Sequence, residues 1–334
     1  MTHHCDVTSA RRLAAAATLL ALLVGCSDQP SSSTSSPAVD ESRPLTLVMI
    51  PKGIQTTFWN QVREGAEKAR DETGVELIWK GPVRDNDRSS QKQVMQQFTH
   101  SGVDGILLSA TDKKALVPDV QTAMAKGIPV LLFDSAVEGE QGKDFISYVA
   151  TDNLAAGRLG GKHVMQLIGD GGKAILFRHM EGHESTGNRE TGALEEFRAA
   201  HADILEEKRY SGETASEAQN TALNMIDVIR QADGVFCPNQ SSTEGLLLAL
   251  RQTNLTGKIK VVGFDSSPML TQALRNGEID AIVVQDPVRM GYLSVKMMVD
   301  YLHKQPIEPL LNTEAHLVTR DNMDDPTISP LLQK

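Results

Sequence analysis

Short apolar runs that end on polar side chains recur along the chain. Residues 128–135 and 261–266 are two such runs, and both close on the same three residues, Phe-Asp-Ser. An apolar run of this length without alternation is typical of a strand that is buried on both faces, as in a parallel sheet. Related runs end at three further places in the chain, at residues 111–112, 239–240 and 285–286.

Segments with helical periodicity separate these runs. Residues 58–73, for example, place Val62, Ala66 and Ala69 on one face, after a strand predicted at 45–50. Strands that alternate with helices are typical of a doubly wound parallel sheet. Because the alternation restarts after residue 150, the sequence predicts an α/β fold with two such sheets. The finer predictions include a capping box of Ser90 and Gln93 at a helix start, helices over 188–200 and 216–230, and a strand over 205–210.

The polar ends of the predicted strands indicate a binding cleft. In open α/β sheets, ligands bind outside the carboxyl ends of the strands, and both predicted sheets place polar groups there. For any single Asp or Asn, the alternative is that it only caps the helix that follows. Five such endings in one chain favour a cleft.

The composition is that of a globular protein and argues against one class of partner. The chain has 334 residues, 40% of them hydrophobic and 23% charged, which is long enough for two domains. A formal net charge of −10 and the lack of a basic run argue against a nucleic-acid partner. Of the three cysteines, Cys237 alone is predicted in the folded part, so no intramolecular disulfide is expected.

The first residues have the features of an export signal. Two arginines precede an apolar run at 13–24 that is too short to span a bilayer as a mature helix. The run continues into Leu-Val-Gly-Cys, which resembles a bacterial lipobox, so that residues 1–25 would be a lipoprotein signal peptide and Cys26 the acylated residue. An ordinary secretory signal with an incidental cysteine is the alternative. Residues 26–44 are rich in Ser and Pro and predict a tether.

Several motifs, taken in their order and spacing, resemble one known family. They are Pro-Lys-Gly at 51–53 with Phe-Trp-Asn at 58–60, Gly-Ile-Pro-Val at 127–130 leading to Asp134, Thr-Asp-Asn-Leu-Ala-Ala-Gly-Arg at 151–158, Val261 to Asp265, and Gln-Asp-Pro at 285–287 with Met-Gly-Tyr at 290–292. Over about residues 45–320, the chain resembles the type I periplasmic binding proteins, the ribose-binding-like sugar receptors of ABC importers.

The resemblance implies two Rossmann-like lobes joined by three crossings, which close on a ligand like a hinged clamp. The N-terminal lobe would comprise residues 45–149 and 286–313, and the C-terminal lobe residues 150–285 and 314–334. Repressors of the LacI type share this fold, but they carry a helix-turn-helix where this chain has a signal and a tether. The implied function is capture of a small sugar outside the cytoplasm by a lipid-anchored monomer, and its delivery to an ABC permease.

The resemblance also implies a set of ligand-binding residues. A sugar offers hydroxyls that both donate and accept hydrogen bonds, and apolar ring faces that suit aromatic side chains. The implied set has nine members: Phe58, Trp59, Asn60, Asp134, Ser135, Arg189, Asn239, Asp265 and Gln285. Asp134 and Asp265 would bind hydroxyl pairs from opposite lobes, so that the ligand binds mainly the closed form. Phe58 and Trp59 could instead be core residues, and Arg189 a solvated helix residue.

One position points away from ribose as the ligand. Many ribose receptors have Arg directly after the first-lobe Asp, where this chain has Ser135. The Trp-Lys-Gly-Pro stretch at 79–82 resembles branches of the family that bind other sugars, rhamnose or the autoinducer-2 furanose.

Two other classes of function are compatible with part of the pattern. A ligand sensor would use the same fold to signal to a chemoreceptor or a sensor kinase. A metal site could be built from five side chains, those of His163, His179, Glu181, His183 and Glu184. However, residues 181–186 predict a ligand-facing loop with an exposed His183. No HExxH, GxSxG or P-loop motif occurs, so no catalysis, cofactor or metal is expected.

Overall fold

The structure is a computed structural model that describes residues 43–84 and 87–332. The predicted signal peptide, Cys26 and the tether up to residue 42 lie outside these ranges. Within the two described ranges, no helix is long and apolar enough to span a membrane.

The first sheet has six strands in the described part of the chain. They are β1 (Thr46–Ile50), β2 (Glu76–Trp79), β3 (Gly105–Leu108), β4 (Val130–Phe133), β5 (Ser147–Thr151) and β11 (Leu310–Thr313). All pairs are parallel, and the spatial order is β11-β5-β4-β3-β1-β2. Parallel neighbours need crossover connections. Helices supply most of them, whereas residues 134–146, which join β4 to β5, contain no helix.

The second sheet repeats this plan with one antiparallel edge. Its strands are β6 (Lys173–Leu176), β7 (Asp203–Glu206), β8 (Gly234–Phe236), β9 (Lys260–Phe264), β10 (Ala281–Gln285) and β12 (Ala315–Thr319). The spatial order is β12-β10-β9-β8-β6-β7, and only β12 pairs antiparallel among the described strands. The predicted fold class, α/β with two doubly wound sheets, is confirmed. Each sheet with its flanking helices is called a lobe below.

Helices cover both faces of each sheet. They are α1 (Thr57–Thr73), α2 (Arg88–Ser101), α3 (Val117–Ala125), α4 (Asn153–Ile168), α5 (Glu184–Ala199), α6 (Ala215–Asn224), α7 (Ile226–Ile229), α8 (Gln240–Gln252), α9 (Pro268–Asn276) and α10 (Pro287–Leu302), followed by a 3₁₀ turn, Ser329–Leu331. In the first lobe, α1 and α10 pack on one face and α2 and α3 on the other. In the second lobe, α4 and α5 pack on one face and α6 to α9 on the other.

Strand β1 shows why these strands read as unbroken apolar runs. Leu47 and Met49 point into the layer shared with α1 and α10, whereas Val48 and Ile50 point into the layer shared with α2 and α3. All four side chains are fully buried. Because alternate residues face opposite layers and both layers are apolar, no polar alternation appears in the sequence.

The chain passes between the two lobes three times, after β5, β10 and β11. The crossings are hydrogen-bonded to each other, since Thr151 Oγ1 donates to Gln285 Oε1 over 2.8 Å and lies 3.2 Å from Thr313 Oγ1. All three side chains are buried. Strand β5 extends to Thr151, two residues past the predicted boundary after residue 149. The lobe boundaries themselves stay predictions.

The backbones of helices α4 and α5 approach each other closely because glycines occupy the helix crossing. A Cβ atom on Gly157 would lie 2.1 Å from the carbonyl oxygen of Arg189, and one on Gly192 would lie 2.2 Å from that of Leu154. Real Cβ atoms do not approach backbone this closely, so any side chain here would force the helices apart. The crossing therefore fixes the position of α5, the helix that carries Arg189.

Several predicted element limits are wrong. Helix α2 starts before Ser90, and its N-cap is Asp87, whose carboxylate accepts from Ser90 N over 2.8 Å; the predicted capping box is absent. The predicted helix over 216–230 breaks into α6 and α7. The strand predicted over 205–210 lies at Asp203–Glu206. Helix α5 begins at Glu184, four residues before the predicted start, so half of the predicted loop at 181–186 is helical.

Candidate ligand-binding site

A cavity of about 550 Å³ lies between the two lobes and is lined by residues of both. Seven of the nine predicted site residues line it: Phe58, Trp59, Asp134, Arg189, Asn239, Asp265 and Gln285. These residues come from strand ends and helix starts far apart in sequence. The fold therefore brings the polar strand ends of both sheets to one space.

The other two predicted residues do not line this cavity. Asn60 lies in the first turn of α1 with an exposed side chain. Ser135 is fully buried, and its Oγ accepts from Ser185 N at 3.5 Å, at the edge of hydrogen-bond range. Their predicted roles as ligand contacts stay predictions and receive no support from their placement.

Asp134 and Asp265 occupy equivalent positions in the two lobes. Each directly follows a buried strand, β4 or β9, and each has a left-handed backbone, with φ of 56° and 66°. Asp adopts this conformation more readily than most residues with a Cβ, and such strained residues cluster at functional sites. The repeated Phe-Asp-Ser of the sequence is thus a repeated strand-to-loop turn that brings a carboxylate to the cavity.

Each of these carboxylates has partners from its own lobe. The Oδ2 of Asp134 lies 2.9 Å from Lys52 Nζ and accepts from Ser109 Oγ over 2.8 Å. Asp265 accepts from Gln285 Nε2 over 2.6 Å and from Gln240 N over 3.3 Å. Burial raises the pKa of Asp265, and the Arg189 guanidinium opposes that shift. The two carboxylates are therefore held in place with acceptor capacity to spare.

Arg189 is buried against the second lobe and is not a solvated helix residue. Its Nε donates to Asn153 Oδ1 over 2.8 Å, and its Nη1 donates to Pro238 O over 3.1 Å. The guanidinium carbon lies 3.8 Å from the centre of the Phe264 ring. A guanidinium has five N–H donors, so this fixed side chain can give further donors to a ligand in the cavity.

Gln285 and Asn239 use much of their hydrogen-bonding capacity within the protein. Gln285 links the crossing residue Thr151 to Asp265, so it orients the carboxylate from the hinge side. Asn239 is the N-cap of α8, and its Oδ1 accepts from Ser242 N over 3.2 Å. Helix capping, the alternative given above for a single Asp or Asn at a strand end, is therefore observed for Asn239. Its side chain also lines the cavity.

The two aromatic residues differ in how far they reach the cavity. Trp59 is 2% exposed and packs edge-on against Phe133 and Phe58, with ring centroids 6.4 and 4.9 Å away. It is foremost a core residue that closes the floor of the cavity. Phe58 is only partly buried and is the better placed of the two to cover an apolar sugar face.

Polar contacts join the lobes around the cavity. They pair Lys52 Nζ with Ser185 Oγ at 3.1 Å, Thr57 Oγ1 with Gln240 Oε1 at 3.0 Å, and Arg84 with Glu213 through two bonds of 3.2 and 2.9 Å. The structure therefore shows the two lobes in contact across the cavity, in a closed arrangement.

The family follows from the sequence match over this same fold. A family model described as a periplasmic binding protein domain matches residues 47–306. The chain belongs to the periplasmic binding protein family. The predicted resemblance to type I members of the ribose-binding kind is confirmed.

Relatives of this binding protein cover most of its length. The D-allose-binding periplasmic protein of Escherichia coli (strain K12) is 26% identical over 267 residues, which cover 78% of this chain and 86% of that protein. A periplasmic component of an ABC-type sugar transport system from Hahella chejuensis has 32% identity and a TM-score of 0.78, covering 82% of this chain and 99% of that one. A carbohydrate transporter solute-binding protein from Agrobacterium radiobacter, solved with D-arabinose, has 29% identity and a TM-score of 0.83, covering 87% and 100%.

The binding protein has site residues that the sequence analysis did not select. Lys52 is the clearest, because its ammonium group pairs with Asp134 and is 6% exposed as a residue. Lys52 comes two residues after β1, so the rule that found the other strand ends would have found it. Ser185 and Thr186 also line the cavity; they lie in the stretch predicted as a ligand-facing loop, but neither was selected as a ligand contact.

The expectation of an exposed His183 is wrong. His183 is 4% exposed, and the His179 ring lies edge-on to it with ring centroids 5.1 Å apart. Burial is the main cause that lowers the pKa of both histidines, and for His179 the Lys52 and Arg189 cations lower it further, to about 3. Within the described ranges, no group of three or more His, Cys, Asp or Glu side chains could hold a metal ion.

The buried His179 predicts acid-sensitive stability. Its pKa of about 3 lies below the unfolded value of 6.5, so between these values the unfolded chain binds more protons. The contribution of His179 to the free energy of unfolding is complete above pH 6.5 and is lost as the pH falls. By pH 5, His179 alone should lower the free energy of unfolding by about 2 kcal/mol. Urea unfolding from pH 8 to pH 5 measures it.

The matched variants for this test are His179→Gln and His303→Gln, since His303 lies on the exposed surface. The free energy of unfolding of His179→Gln should fall less from pH 8 to pH 5 than that of the parent, because the variant lacks the buried imidazole. The carboxylates titrate in both proteins, so their contribution cancels in the difference. His303→Gln should keep the parent slope. Equal slopes for His179→Gln and the parent would contradict a neutral, buried His179.

Proposed function

We propose that this binding protein captures a small, uncharged sugar between its lobes and delivers it to an ABC importer. The observation that carries the proposal is the meeting of Asp134 and Asp265, from equivalent strand ends of different lobes, with Arg189 in one closed cavity. Carboxylates accept from sugar hydroxyls and a guanidinium donates to them, so the three groups suit a polyol held from two sides. The sugars in the names of the relatives support a monosaccharide.

The charges of the cavity support an uncharged ligand. Among its described lining residues, four are carboxylates and three are cations: Asp134, Glu213, Glu244 and Asp265 against Lys52, Arg84 and Arg189. Lys52 already pairs with Asp134, and Arg84 with Glu213. A phosphorylated or acidic sugar would therefore enter a space with no surplus of positive charge, where its own charge would be costly to desolvate.

The proposed mechanism is closure of two lobes about the three crossings. We assign residues 45–149 and 286–313 to the first lobe and residues 150–285 and 314–334 to the second. A ligand that reaches both Asp134 and Asp265 binds the closed form better than the open form, so it shifts the population towards closure. A permease that contacts both lobes could then recognise the loaded protein. No chemical step is part of this function.

The place of action is proposed from the sequence and the family. The Leu-Val-Gly-Cys ending of the apolar N-terminal run supports a lipid anchor at Cys26 on the outer side of a bacterial membrane. The Ser- and Pro-rich residues that follow would let a monomer reach its permease. Loss of the protein from the membrane fraction in Cys26→Ser tests the anchor.

A thermal-shift screen of residues 40–334 tests the proposed function. The panel contains D-allose, D-ribose, D-arabinose, D-galactose, L-rhamnose and autoinducer-2, with D-ribose 5-phosphate and D-galacturonate as charged counterparts. At 100 times its Kd, a ligand should stabilise the protein by about 2.7 kcal/mol, which raises the Tm by several degrees. Uncharged sugars should give the shift and the charged ones should not. A response to the charged compounds alone would refute the proposal.

A further inference from the structure

Two polar atoms on the second-lobe wall of the cavity have no hydrogen-bond partner in the described part of the chain. They are Nδ1 of His179 and Oγ1 of Thr186. Both side chains line the cavity, and the two residues are only 2% and 3% exposed. They lie on the connection from β6 to α5, His179 three residues after the strand and Thr186 in the first turn of the helix.

Such unpaired atoms are uncommon and costly. More than nine in ten buried polar groups in native proteins are hydrogen-bonded, and an unpaired one costs about 1–3 kcal/mol. Their surroundings are otherwise well bonded: His179 N donates to Glu190 Oε1 over 2.9 Å, and Glu190 Oε2 accepts from Arg178 Nε over 2.6 Å. Because both side chains line the cavity, its contents can supply the missing partners.

The chemistry of the two groups selects the kind of partner. The imidazole of His179 is neutral at ordinary pH, because its pKa is about 3. A threonine hydroxyl can both donate and accept, whereas Nδ1 of a neutral imidazole does one or the other according to its tautomer; a sugar hydroxyl can pair with either. A methyl or methylene group can do neither and would leave both atoms unpaired in a dry site.

We propose that His179 and Thr186 form a hydroxyl subsite that makes the protein prefer a sugar with a hydroxyl at this wall over the corresponding deoxy sugar. The inference rests on the proposed function and adds a determinant of which sugars bind. It concerns two residues outside the Asp134 and Asp265 pair, neither of which belongs to the nine predicted ligand-binding residues.

Titration calorimetry with deoxy sugars tests the subsite. The probes are D-allose, D-ribose, D-arabinose and D-galactose, followed by each monodeoxy form of the tightest binder; D-fucose serves as the 6-deoxy form of D-galactose. In the parent, at least one deoxy form should bind about 10-fold more weakly, the effect of about 1.4 kcal/mol from one lost hydrogen bond. In Thr186→Val and in His179→Phe, that penalty should fall below about 3-fold.

Thr191→Val is the matched control, since Thr191 lies on the same helix outside the cavity and donates to Gly187 O over 2.9 Å. It should keep the parent's deoxy penalties. The ligand-free Tm gives a readout that needs no sugar: Thr186→Val keeps the shape of the residue and loses no protein hydrogen bond, so its Tm should equal or exceed that of the parent.

The possible failures can be told apart. Equal deoxy penalties in the parent, Thr186→Val and His179→Phe would overturn the subsite and leave the proposed function standing. A Tm several degrees lower in ligand-free Thr186→Val would show a structural role for the hydroxyl and would also overturn the subsite. No binding of any of the four sugars to the parent would overturn the proposed function, and the subsite with it.

Discussion

Gly192→Ala should lower the free energy of unfolding by about 3 kcal/mol, at the upper end of the cost of overpacking, although it adds only one methyl group. The added Cβ would lie 2.2 Å from the carbonyl oxygen of Leu154 and 2.7 Å from the backbone nitrogen of Arg158. Both are backbone atoms of α4, so no side chain can move aside to make room. The clash can be relieved only by separating α4 from α5, which loosens the apolar layer beneath the second sheet.

The same helix offers a matched control for this prediction. Gly187 also lies in α5, and a Cβ atom placed there would meet nothing within 4 Å. Gly187→Ala should therefore be neutral or stabilising by up to about 1 kcal/mol, because alanine is the better helix former. Urea unfolding of the two variants measures the contrast. Similar stability of the two variants would contradict a helix crossing that requires glycine.

The strand ends could be predicted because both physical signals were strong. The runs ending on Asp134 and Asp265 are buried on both faces, so they appear in the sequence as unbroken apolar stretches. The left-handed residue that ends each stretch had to be one that tolerates positive φ, and Asp does. A short-range sequence pattern was therefore enough to predict both the buried strands and the edge of the sheet where their polar residues lie.

The start of α5 could not be predicted in the same way. Its N-cap is His183, whose side chain makes no capping hydrogen bond, and glycines occur at 182 and 187. Locally the stretch favours a loop, but the helix that begins there packs closely against α4, and tertiary packing can override local propensity. His179 lies just before this helix start and Thr186 just after it, and neither was selected as a ligand contact.

The helical phase of α1 bears on the predicted role of Asn60. The buried residues of α1 include Trp59, Val62, Ala66 and Ala69, which share one helical face. A residue directly after Trp59 is rotated by about 100° from it and leaves that face. The resemblance implies Asn60 as a ligand contact, and the helical phase of this chain gives that prediction no support because it turns the side chain to the surface.

Asp265→Asn should weaken binding of the best sugar in the panel by about 100-fold or more, equivalent to about 2.7 kcal/mol. Asn has the same shape, tolerates the left-handed backbone and can still accept from Gln285 through its Oδ1. The variant therefore removes the charge and one acceptor with little change of geometry. It also leaves the buried Arg189 without the carboxylate that contributes most to its charged form.

Titration calorimetry on the parent and the variant measures the loss. Asp227→Asn is the control, since the Asp227 side chain is 89% exposed and does not line the cavity. Asp227→Asn makes the same change in net charge and should bind as the parent does. In the proposed clamp both carboxylates hold the ligand, so Asp134→Asn should cause a comparable loss. Parent-like affinity in Asp265→Asn would mean that the second lobe holds the sugar by other groups, and the two-sided clamp would be wrong.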